Sequence, residues 1–475
     1  MATLLVCTGS VRALASPPLR PIAVVLDDPS PATAATAASG LEALGGRVTH
    51  AFNQLLVADV PVGAEMRAYR LRGIRAVMVN AASGSSRRGS ASALEIAAWN
   101  AIARLDGDAD RVALETPPLD GDALTPPPVS IESVRAASAA AAAFTGRRSG
   151  ASPGLESSGA PYGATDLNTT EFLAGRVSVN VVLVESDGTH ELSTENWSAA
   201  REAEVVGKIV AGLEWIRVQE PQAALQFAYH VYTGRTDPRA RTGYEPIRRS
   251  ADPTGVNGED LWVKEVLARF GYTSGDRFAR SRAFAADTRG YDGSDWAVNV
   301  FVVDSLADAD GKFADGRFAY TWIGGPHVVM TYDNQSWGIS RMDMVLRHEM
   351  LHAFYSFDEY TASACSCADH RGYLDGPNTN CDSCNPQAAS CVMIANGDAM
   401  CPATRRQIGW ADLDGDGLID VVGQDPDTFL DAGPATTCTA PGLDGLASVT
   451  AATNRNPSTS TPRASISINK IAAVE

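Results

Sequence analysis

Hydrophobic positions along the chain change their spacing several times, and each change marks an element. Between residues 21 and 80, apolar stretches at 22–26, 47–53 and 74–79 predict three strands, with an alanine-rich helix after the first and another helix near 64–71. The pattern resumes near residue 170. VSVNVVLV at 177–184 is nearly continuous apolar sequence, as expected of a strand covered on both faces. Ala203, Val206, Ile209, Val210 and Leu213 recur at helical spacing and predict a helix over 198–218. Strands follow at 225–232 and 296–303 with a helix at 261–270 between them, then a strand pair at 318–322 and 327–332. A helix is predicted from Ser340, where Asp343 three residues on completes a capping box. A last helical stretch covers 403–410, and alternating Ala464, Ser465, Ile466, Ser467 and Ile468 predict strands near the end.

Residues 115–165 lack such periodicity and are rich in Pro, Gly, Ser and Ala, which is linker composition and an accessible place for a processing cut. The expected organisation is therefore a signal peptide at 1–20, an α/β module at 21–112, a linker at 113–168, a second α/β domain at 169–411, an acidic loop at 412–423 and the start of a β module at 424–475. The signal peptide is read from a short apolar stretch and an A-x-A-like site, although no positive charge precedes it. Alternating Ser and Ile in the tail give the last module an immunoglobulin-like, truncated appearance; such modules contact surfaces or glycans.

Composition narrows the classes. The 475 residues are 45% hydrophobic and carry a formal charge of −17, with Lys208, Lys264, Lys312 and Lys470 the only lysines. Without a basic stripe, nucleic acid is excluded as a partner. No apolar run reaches the ~18 residues needed to cross a membrane. No G-x-G-x-x-G or P-loop supports nucleotide binding. Seven of the eight cysteines, Cys365, Cys367, Cys381, Cys384, Cys391, Cys401 and Cys438, crowd after residue 360. In an oxidising compartment they form disulfides; the spacing of Cys365, Cys367, Cys381 and Cys384 also admits a structural zinc site.

The chemistry concentrates in His348-Glu349-Met350-Leu351-His352. On a helix, residues four apart share a face, so His348 and His352 reach one metal ion, and Glu349 one step round serves as general base and acid towards water and the leaving amine. The longer run HEMLHAFYSFDEY resembles the metal-binding segment of secreted bacterial zinc metallopeptidases of the metzincin type. That resemblance implies an α/β (α+β) zincin domain, Asp358 as third zinc ligand, and a methionine turn beneath the metal at Ser390-Cys391-Val392-Met393. It also places a substrate-pairing edge strand at 324–332, where His327 is either a substrate contact or structural. One position departs from the pattern: Tyr355 stands where the family turn has glycine. Tyr360 is a candidate to assist the oxyanion, or it packs beneath the helix.

Two further resemblances complete the reading. VTHAFNQLLVADVP, within 21–80, is similar to the inhibitory pro-domains of secreted subtilisin-type proteases; a general ferredoxin-like module fits equally. Asp412, Asp414, Asp416 and Asp420, with Gly417 at the turn, follow a calcium-loop pattern similar to dockerins and thrombospondin type 3 repeats, although Gly423 replaces the bidentate glutamate. Together these imply a secreted zymogen acting on protein or peptide as a zinc endopeptidase, with calcium as a structural ion. The alternatives are a non-catalytic, metal-holding adhesin or scaffold on the same fold, and a zinc hydrolase acting on other amides or glycans.

Overall fold

The computed structural model describes residues 17–81, 91–105, 122–145, 165, 167–251, 258–413, 415, 417–423, 449–454 and 463–468. It has two compact units, the first ending at Ser92 and the second beginning at Ala93. Among the described residues no helix is long and apolar enough to cross a membrane.

The first unit runs β1 (Leu19–Leu26), α1 (Pro31–Ala43), β2 (Arg47–Ala51), β3 (Leu55–Pro61), α2 (Glu65–Ala68) and β4 (Ile74–Met78). Its strands pair antiparallel in the order β4-β1-β3-β2, a ferredoxin-like β-α-β-β-α-β arrangement. Helix α1 starts sharply because Ser30 accepts the Thr33 amide at 3.2 Å and Pro31 occupies the first turn. Ile22, Val24 and Leu26 alternate into a core with Leu56, Ala58, Val60, Ala37 and Leu41. Sequence reading gave three strands here; the fourth, β3, follows β2 after only three residues, too short a break to interrupt the apolar pattern.

The second unit contains α3 (Ala93–Leu105), β5 (Asp122–Leu124), α4 (Ile131–Thr145), β6 (Arg176–Ser186), α5 (Ala199–Gln219), β7 (Gln226–Thr233), β8 (Arg241–Thr242), α6 (Asp260–Arg269), α7 (Arg277–Asp292), β9 (Trp296–Val303), β10 (Ala319–Trp322), β11 (His327–Thr331) and α8 (Met342–Ala353). After α8 come β12 (His370–Arg371), β13 (Gly376–Pro377), α9 (Val392–Ala395), α10 (Pro402–Gln407), α11 (Asp420–Gly423), β14 (Val449–Asn454) and β15 (Arg463–Ile468). The strand order β7-β6-β9-β11-β10-β5 is parallel through β11, with β10 running against β11. On one face Val182, Val184, Phe301 and Val303 share a core with Val263, Leu267, Phe284 and Val134 from the helices. Val181 and Leu183 point the other way and are equally buried, so both faces are covered.

Several boundaries differ from the sequence reading. The stretch read as linker carries β5 and α4, because Val134, Ala137 and Ala141 form an apolar stripe that joins this core. Helix α3, assigned by sequence to the N-terminal module, packs on α5. Between residue 170 and the histidines, α7 is a third helix where two were expected. Strands β14 and β15 form an antiparallel hairpin, and the rest of the expected immunoglobulin-like module lies outside the described residues.

Candidate metal centre

Helix α8 is buried from Val345 to Ala353. It lies close on α5: a Cβ at Gly212 would meet the Asp343 carbonyl at 2.8 Å, so any larger residue would push the helices apart. The expected capping box does not form. Arg341 is the N-cap, without a side-chain bond, while Lys208 of α5 donates to the Ser340 carbonyl and pairs with Asp343 at 3.1 Å.

The other end of α8 closes as a Schellman turn. The Tyr355 amide donates to the His352 carbonyl at 2.9 Å and the Ser356 amide to the Leu351 carbonyl at 3.0 Å. Tyr355 takes the left-handed position with φ +73°, so the turn keeps its shape although glycine is absent. Its ring lies over Gly324, where an added Cβ would meet the ring at 2.5 Å. The chain then doubles back and brings Asp358 to the two histidines.

The Nε2 atoms of His348 and His352 are 3.0 Å apart, and Asp358 Oδ1 lies 3.2 and 3.1 Å from them. The Nδ1 atoms face backbone carbonyls, His348 that of Val392 at 3.0 Å and His352 that of Ser356 at 2.8 Å. A carbonyl only accepts, so each Nδ1 carries a proton and each Nε2 is left to face the carboxylate. The three side chains thus converge on one point and could together hold a metal ion. Two imidazole nitrogens and a carboxylate oxygen are a zinc donor set, and their spacing approaches the roughly 3.4 Å between ligands of a tetrahedral zinc. Burial opposes ionisation of Asp358, but the two imidazoles outweigh it and hold the carboxyl well below the usual carboxylate range.

Neighbouring groups fix these ligands. Asn378 Nδ2 donates to the Asp358 carbonyl at 2.9 Å, and the Glu359 amide donates to the Met393 carbonyl at 3.0 Å. Met393 is fully buried in α9, one residue after the carbonyl that takes the His348 proton. Buried Arg347 stacks 4.1 Å over Trp215 and reaches Asp398 at 2.6 Å and the Asn396 carbonyl at 3.3 Å, tying α8 to that turn. Glu349 is buried, and its Oε2 accepts the Thr321 hydroxyl at 2.7 Å.

Cys365 is bonded to Cys381 and Cys367 to Cys384, so these four residues form disulfides and not the zinc-site alternative. Cys391 and Cys401 are free and buried, and Cys438 lies outside the described residues. Burial, with Cys401 and the Glu359 carboxylate beside it, pushes the Cys391 thiol far above the ordinary range.

Other candidate residues are placed differently from expectation. His327 is fully buried, between Ser281 Oγ at 3.0 Å and Glu259 Oε1 at 3.3 Å, so it holds the core and meets no substrate. Strand β11 lies between β9 and β10 and is not an edge. The outer strand of that pair is β10, and β5 lies along it in parallel, with Thr321 opposite Ala123 and the Ile323 amide donating to the Leu124 carbonyl at 2.8 Å. Tyr360 is buried. In the acidic loop, Asp412 accepts the amides of Gly415 and Gly417 at 2.7 and 2.9 Å, and Asp420 accepts that of Leu413 at 3.0 Å. Asp414 and Asp416 lie outside the described residues.

Sequence reading missed Thr321, Arg347, Asn378 and the Val392 and Ser356 carbonyls. None carries a local signal, since each reaches the site only through tertiary packing or as bare backbone. No family model, curated protein or solved structure matches the chain.

Proposed function

We propose that the chain is a zinc-dependent endopeptidase of the metzincin-like type. The observation that carries this reading is the meeting of three acceptor atoms from His348, His352 and Asp358, each within 3.2 Å of the others, beside buried Glu349 on the same helix. Zinc held by these side chains supplies Lewis acidity towards a scissile carbonyl and makes water a stronger acid. Glu349 takes the proton of the attacking water and passes it to the departing amine nitrogen. The Thr321 hydroxyl orients that carboxylate, and the Val392 and Ser356 carbonyls hold both imidazoles in the tautomer that faces Asp358.

An extended substrate adds its backbone along β10. Strand β5 lies there, which supports a zymogen in which residues 122–124 leave before substrate enters. The ferredoxin-like first unit is compatible with a pro-domain. The two disulfides support secretion, since such bonds persist in oxidising compartments. The loop folded round Asp412 supports structural calcium held by Asp412, Asp414, Asp416 and Asp420.

Metal analysis and casein cleavage by wild type and Glu349→Gln test the reading. Both proteins are expected to hold about one zinc, with cleavage by the variant lower by roughly 10²–10⁴-fold. Equal cleavage by the two removes Glu349 from the chemistry. Zinc in both with no cleavage by either, even after limited proteolysis within residues 106–121 and 146–164, favours a metal-holding scaffold.

A further inference from the structure

A second cluster lies beneath the metal centre. Glu359, Cys391 and Cys401 are buried, with their carboxylate and sulfur atoms within 4.8 Å of one another. It differs in kind from the first. Glu359 Oε1 accepts the Thr404 hydroxyl at 2.9 Å and the Cys401 thiol at 3.0 Å, and Oε2 accepts Asn380 Nδ2 at 2.7 Å. A carboxylate with three donors needs no cation, so a second metal is not called for.

What remains is a pair of neighbouring thiols shielded from solvent. The Cys401 amide lies 3.3 Å from Cys391 Sγ, and the two sulfurs are 3.2 and 3.4 Å from the same Thr404 hydroxyl. They close one loop: Cys391 is the N-cap of α9 and Cys401 that of α10, and inside them the Val392 amide meets the Ala399 carbonyl at 2.7 Å. Residues 365–384 just before this loop already hold two disulfides, so conditions that form those bonds reach this segment.

We infer that Cys391 and Cys401 are an oxidative modification site, joined by a third disulfide that clamps the loop whose Val392 carbonyl holds the His348 Nδ1 proton. Two S–H bonds break and one S–S bond forms. The two electrons pass to a low-molecular-weight disulfide such as oxidised glutathione, which leaves as two thiols carrying both protons. The cross-link itself stands on the sulfur geometry; its effect on the centre rests on the zinc reading.

The test is alkylation of the full-length chain under denaturing, non-reducing conditions after refolding from the reduced, unfolded state with oxidised glutathione, which reaches both thiols before they are buried, followed by peptide mapping. The expected product is a peptide pair linking Cys391 to Cys401, two hydrogens lighter than the dithiol. Complete alkylation of both residues, or a bond from either to Cys438 or Cys7, overturns the inference. In parallel, a chelator competes for zinc with wild type and with the Cys391→Ser, Cys401→Ser double variant. The variant is expected to hold zinc about tenfold more weakly. Unchanged affinity removes the clamp's role. A mapped cross-link in a chain that holds no zinc leaves the disulfide standing and removes the zinc reading alone.

Discussion

At the scale of single residues, the histidine tautomer decides what the site can be. Had either Nδ1 faced a donor, its Nε2 would carry the proton and close the centre to a metal. Thr321 acts in the same way on Glu349, since one hydroxyl 2.7 Å from Oε2 limits how the carboxylate can turn. Replacing it by Val keeps the shape and removes the hydroxyl. Under the peptidase reading, Thr321→Val is expected to cut kcat by about tenfold while zinc content stays unchanged, because the hydroxyl touches the proposed proton carrier and not the proposed ligands. Steady-state kinetics beside metal analysis checks this; loss of zinc would mean that Thr321 supports the ligands instead. A different carboxylate sets a pH dependence. Burial first, then Asp304 and Glu245 nearby, push Glu185 from 4.5 up to about 7, against the Trp197 amide that it accepts. A raised pKa means that the folded state prefers the proton. The stability contributed by Glu185 is therefore full below its unfolded value and lost as pH rises through the folded one. Thermal melts of Glu185→Gln should fall less than wild type between about pH 5 and about pH 8; parallel melting curves would place the group elsewhere.

At the scale of elements, the covered edge of β10 is the feature that most affects activity under the peptidase reading. Leu124→Pro removes a strand amide and disfavours the extended ladder in which Leu124 lies opposite Trp322. It is expected to raise the initial rate of casein cleavage and to speed amide exchange in β10. Faster exchange without a higher rate would show that β5 does not obstruct substrate. This strand also marks where sequence stops being informative. VSVNVVLV and WAVNVFVV announce β6 and β9 because strands buried on both faces leave no polar alternation. Helix α7 hides because its buried positions mix Phe278 and Phe284 with small alanines and with Arg277, Ser281 and Arg289, so no apolar stripe stands out. Helix α4 hides for a related reason, since a run of alanines reads equally as low complexity until Val134 is seen in the core. Strand β5 has three residues and no pattern of its own; only the edge beside it defines it. The histidine helix and Asp358 were legible because they form one local run, whereas Thr321, Asn378 and the Val392 carbonyl come from positions 20 to 44 residues away.

At the scale of the whole molecule, two cores with separate residues mean that one melting temperature cannot describe the chain. Among the described residues only the second unit contains the convergent donors at His348, His352 and Asp358, so a metal ion held there would stabilise that unit. A ligand that binds only the folded form stabilises it by RT ln(1 + [L]/Kd), about 4 kcal/mol at a thousandfold excess over Kd. Under the zinc reading, removal of the metal is therefore selective in its effect. Calorimetry of the chelated protein is expected to show the transition of the larger unit moved down by several degrees, with that of the ferredoxin-like unit unmoved. Zinc added back should restore the first scan, and magnesium should not, because Nε2 donors suit the softer ion. A chelator that shifts both transitions equally, or neither, would show that the three side chains hold no metal that stabilises the folded second unit.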